Sequence, residues 1–132
     1  MEHGAWGNIE MPKFRFQDLD IWKLAILIGD RLYDLADKLE GEKKFRFAEQ
    51  MRGAALSISN NIAEGSGCDS KIEFAKFLNY ARRSCYEDAN MLIVFCQRGI
   101  IDEGACDDLL SMLDKESRMI ESFKNTLRKV NA

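Results

Sequence analysis

Basic side chains with an aromatic among them are the first chemistry this sequence offers. Lys76, Arg82 and Arg83 fall within eight residues, and Tyr80 stands between them. Such a set can hold phosphates by charge while the ring stacks on a base. Arg46 and Arg52 extend the candidate nucleic-acid set upstream. The same residues also suit a solvated or intersubunit ion-pair network. Arg83 and Glu87 are four apart and Glu49 and Arg52 three apart, spacings that meet on one helix face. A second candidate surface lies in Gln50 to Gly65, which mixes small Gly53, Ala54, Ala55, Ser57 and Ser59 with polar Asn60, Asn61 and Glu64. Small residues let another helix approach closely, and the amides add directional bonds. The pattern serves tight packing within the chain or a face against another subunit. In the second case Asn60, Asn61, Glu64, Arg83 and Glu87 are the candidate oligomer interface.

Enzyme chemistry finds little footing. The one histidine, His3, precedes every predicted helix, so a di-iron or haem bundle lacks its ligands and a serine nucleophile lacks its base. The sequence holds no Walker motif and no GxGxxG, and Gly65-Ser66-Gly67 is too short to cradle phosphates. Cys68, Cys85, Cys96 and Cys106 form no CxxC pair. No catalytic residue, cofactor or metal site is expected. Nineteen basic against 22 acidic residues give a net charge of −3, which argues against indiscriminate nucleic-acid binding but leaves room for a local basic face. No apolar run approaches the ~20 residues of a membrane span. Met1 to Met11 has no signal-peptide pattern, so a cytoplasmic location with reduced thiols is expected.

The elements that must position these residues are helices. The only proline is Pro12, and the 120 residues after it contain no other. Residues 1–15 read as a tail and residues 16–132 as one domain. A first helix is predicted from about Asp18 to Leu39, with adjacent apolar rows (Leu19, Trp22, Ile26, Gly29, Tyr33; Ala25, Ile28, Leu32, Leu35, Leu39) and Gly41 as its C-terminal glycine. A second spans about Glu42 to Ala63, with poor helix formers Ser57, Ser59, Asn60 and Asn61 near its end and Gly65 in left-handed backbone after it. A third starts at a Ser70/Glu73 capping box, runs along Phe74, Leu78, Ala81, Cys85, Leu92 and Phe95, and stops at Gly99. A fourth begins at Asp102 and follows Leu109, Leu113, Ile120, Phe123, Leu127 and Val130. Long helices with short connections predict an all-α, antiparallel up-down-up-down four-helix bundle.

Three motifs carry a resemblance: Phe16 to Ala25 (FQDLDIWKLA), Gln50 to Gly65 with its SIxxNIAEG, and Glu73 to Leu78 (EFAKFL) followed by Ala81-x-x-Ser84-x-x-Glu87. In this order and spacing they resemble the four-helix bundle proteins encoded in intervening sequences of 23S ribosomal RNA, over about residues 14 to 130. The resemblance implies a small cytoplasmic bacterial bundle without established enzymatic activity, assembled as a homopentameric ring. It also implies a likeness to the accessory protein of diversity-generating retroelements, a basic pentamer that binds a reverse transcriptase and nucleic acid. An RNA or reverse-transcriptase partner is therefore the alternative to a self-assembled scaffold. This chain departs from the pattern. Gly53 and Cys68 stand where basic residues are common, and Gly41 and Ser59 mark places where prolines are usual. Arg83, where a small residue is common, returns one charge.

Overall fold

A stripe of apolar side chains along one face of a helix is stable only against another such stripe, and four of them close a core here. The computed structural model describes residues 11–131. After a 3-10 turn at Arg15–Asp18 come α1 (Asp20–Gly41), α2 (Phe45–Ala54), α3 (Ser57–Ser66), α4 (Lys71–Gln97) and α5 (Glu103–Asn131), and the described residues contain no strand. α2 and α3 follow one another as a single column, so the chain forms four helical columns. α1 packs on α2, α3 and α5, and α4 packs on α3 and α5. Numbers run against each other across neighbouring columns: Phe74 meets Phe123 and the Cys106 thiol donates to the Leu92 carbonyl. This is compatible with an up-down-up-down order. Ile28, Leu32, Met51, Ile62, Leu92 and Leu113 are among the side chains fully enclosed where the columns meet.

The second column is broken, where the sequence predicts one helix from Glu42 to Ala63. It begins at Phe45, halts after Ala54 and resumes at Ser57. Local hydrogen bonds explain the break. Ser57 Oγ donates to the Ala54 carbonyl at 3.0 Å, Ser59 Oγ to that of Leu56 at 3.3 Å and Asn61 Nδ2 to that of Ser57 at 2.9 Å. Hydroxyls and amides that bond nearby backbone compete with the helical ladder. Across the break, α1 presents Gly29, where a Cβ would stand 2.5 Å from the Ala55 carbonyl oxygen. Gly29 thus permits the close approach of α1.

Several ends follow from capping, and some differ from expectation. Ser70 accepts from the Glu73 amide at 3.1 Å and starts α4, Asp102 accepts from the amides of Gly104 and Ala105 and starts α5, and Gly99 takes φ +71° after α4. The left-handed residue after α1 is Lys43 (φ 64°) rather than Gly41, because α1 runs on through Gly41. Gly65 is not a left-handed stop. It lies inside α3, where a Cβ would come within 2.7 Å of the Phe77 Cβ, so its role is helix contact. Asp18 belongs to the 3-10 turn instead of opening α1. Arg15 donates through Nε (2.7 Å) and Nη2 to the Ser66 carbonyl at the end of α3. His3 and the side chain of Val130 lie outside the described residues.

Candidate functional site

The contact of α3 on α4, which Gly65 makes possible, leaves an open depression of about 650 Å³ on the outside of that seam. Asn61 from α3 and Tyr80, Arg82, Arg83, Tyr86 and Glu87 from α4 line it. Three of the five predicted interface residues, Asn61, Arg83 and Glu87, are therefore brought together. Asn60 and Glu64 are exposed on α3 but do not line the depression. Asn61 is half-buried and its amide already donates within α3. Arg83 and Glu87 are exposed one turn apart, and no ion pair joins them, although their spacing allows one. Tyr86 is 61% exposed, and its ring carries the Arg82 guanidinium at 5.4 Å. Tyr86 went unnoticed in the sequence because it falls outside the apolar rows.

The predicted nucleic-acid set does not gather on one surface. Arg52 sits on the α1/α2 seam within 2.9 Å of Asp37, 2.5 Å of Glu40 and 3.4 Å of Glu49. Hydrogen bonds to Asp37 and Glu40 hold its pKa above the ordinary arginine value, and its charge is matched inside the chain. Arg82 turns toward α5, 3.7 Å from Glu121. Arg46 is exposed on α2, whose neighbouring Phe47 packs edge-on against Phe95 near the end of α4. Lys76 occupies a separate depression between α4 and α5. Of this set Arg82 and Arg83 line the α3/α4 depression, and of these two only Arg83 makes no ion pair among the described residues.

The sequence reading also missed two carboxyls in the core. Glu116 of α5 is 0% exposed and neither of its oxygens has a hydrogen-bond partner among the described residues. Asp88 of α4 is 3% exposed with Oδ2 unpartnered. Burial disfavours the charged form, so Glu116 rises to about 8. Burial, then the negative charge of Glu87, lifts Asp88 to about 7. Burial also pushes up the thiol of Cys85, followed by the charges of Glu116 and Asp88. The signal for both carboxyls was present. In the rows Cys85 to Leu92 and Leu113 to Ile120 one step is skipped, and the residues at those steps are Asp88 and Glu116. A charge in the phase of an apolar row is a buried charge.

Among the described residues no three His, Cys, Asp or Glu side chains converge as metal ligands, and no helix is long and apolar enough to cross a membrane. The family model for the 23S rRNA-intervening sequence protein matches residues 17–122. No curated protein matches the chain significantly.

Proposed function

Because the chain belongs to the 23S rRNA-intervening sequence protein family, we propose that it is a non-enzymatic, homo-oligomeric scaffold built on an antiparallel up-down-up-down bundle. The ring is pentameric, as the sequence resemblance implies, and the protein works in the cytoplasm. The observation that carries this reading is the α3/α4 depression. There Arg83 and Glu87 make no ion pair among the described residues, beside the exposed rings of Tyr80 and Tyr86. Aromatic and arginine side chains around an open depression are the composition of protein interfaces. Farther along α4, Ile93 and Val94 are about two-fifths exposed and extend apolar surface beyond it.

Light scattering coupled to size exclusion tests this. The expected mass is five times the 15.1 kDa of one chain. The double substitution Arg83→Glu and Tyr86→Ala is expected to shift the mass toward a single chain while helical circular dichroism is retained. A wild-type protein that elutes as one chain at every concentration would overturn the scaffold reading. A variant that stays fully assembled would overturn the placement of the interface.

A further inference from the structure

We propose that the depression between the start of α4 and the end of α5 binds the phosphodiester backbone of a nucleic acid. Lys71 and Lys76 line it from α4, Lys124 and Arg128 from α5, with Asn79 and Ile72 beside them, and its lining contains no carboxylate. Among the described residues the ion pairs of the chain engage Lys13, Lys44, Arg52, Arg82, Arg118 and Lys124. Lys71, Lys76 and Arg128 take part in none of them, and Arg128 is near enough to Glu121 to help lower that carboxyl's pKa, after Lys124 and Arg82. Lys124 is 6% exposed and lies 3.1 Å from the more exposed Glu121, so its charge is already met within α5. A chain of net charge −3 thus places three cations that make no ion pair among the described residues in one depression, apart from the α3/α4 depression.

The geometry selects the class of ligand. Lys71 and Lys76 are ~7.5 Å apart along α4, and Lys124 and Arg128 ~6 Å apart along α5, at the helical rise. The two rows face a space of about 470 Å³ that is open to solvent. The positive charge is spread over more than one turn of each helix, farther than one phosphate extends. A strand with a negative charge at every residue meets all of these cations and continues past the rim. The positive end of the α4 dipole lies at Lys71, and Arg128 with Lys129 offsets the negative end of α5. Ile72, 75% exposed, and Asn79 offer an apolar and an amide contact to sugar or base. Lysines contact phosphate as point charges and read no sequence, so binding is expected to be indifferent to sequence.

The test is fluorescence anisotropy with a labelled mixed-sequence 20-mer RNA, in salt from 50 to 300 mM. Lys76→Glu with Arg128→Glu is compared with the charge-matched Arg46→Glu with Arg98→Glu, placed near the other end of α4, all with circular dichroism as a check of fold. Expected is at least a tenfold loss at 50 mM for the first pair and a salt slope lower by about 1.5, with a smaller loss for the second pair. Equal losses for both pairs would overturn the placement. No binding by the wild type at 50 mM would overturn the proposal. So would displacement of the RNA by polyglutamate of equal charge as readily as by unlabelled RNA, since the surface would then favour any acidic chain.

Discussion

Replacing Glu116 with glutamine removes the ionisation of the most deeply buried carboxyl while keeping its size. The unfolded chain releases that proton near the ordinary value of 4.5, whereas the folded chain holds it to about 8. Between these values the folded state binds more protons, so stability from this group is full below about pH 4.5 and declines as pH rises, levelling off above about 8. At 1.36 kcal/mol per pH unit, proton uptake at Glu116 costs the folded state on the order of 3 kcal/mol at pH 7, and the loss from pH 5 to pH 8 is also about 3 kcal/mol. Asp88, raised to about 7, adds a decline of the same sign. Glu116→Gln is therefore expected to flatten the pH dependence by about 3 kcal/mol between pH 5 and pH 8. The comparison is the slope, because an amide in the same unpartnered site carries its own pH-independent cost. Urea unfolding of both proteins at pH 5, 7 and 8, at one protein concentration, measures it. Parallel pH profiles would refute the reasoning and mean that the Glu116 carboxylate is ionised and partnered.

Gly29→Ala sets two effects against each other. Relief of backbone entropy in α1 favours alanine by roughly 0.5–1 kcal/mol. The new Cβ at 2.5 Å from the Ala55 carbonyl oxygen requires backbone movement, costing on the order of 1–3 kcal/mol, so a lower urea midpoint is expected and a higher one would refute the close approach. The cysteines separate by environment. Cys85 and Cys106 are buried, and burial raises the Cys106 thiol to about 11, whereas Cys68 and Cys96 are partly exposed. A thiol reagent at pH 8 is expected to label Cys68 and Cys96 quickly and the other two only at the unfolding rate, as mass spectrometry of timed samples would read.

The four columns were readable because each rests on near neighbours. Apolar residues three and four apart share a face wherever the helix lies, and Ser70, Asp102 and Gly99 act through backbone within a few residues of themselves. The break after Ala54 was half visible. Ser57, Ser59 and Asn61 signalled weakness, but its position also answers to Gly29, a residue 26 places upstream. Among the site residues, Asn61, Arg83 and Glu87 could be grouped by type, yet their meeting beside one depression depends on how closely α3 packs on α4.

The charges divide the same way. Residue identity alone established which side chains carry charge, the balance of −3, and that Asp88 and Glu116 fall in phase with apolar rows. Which charges are paired was decided across the bundle. Arg52 is matched by Asp37 and Glu40 of α1, Arg82 is drawn to Glu121 of α5, and Lys71, Lys76 and Arg128 are left together. Periodicity is a property of one helix and survives in one dimension. Neutralisation and burial depend on distances between helices, and only the packing of the columns sets those.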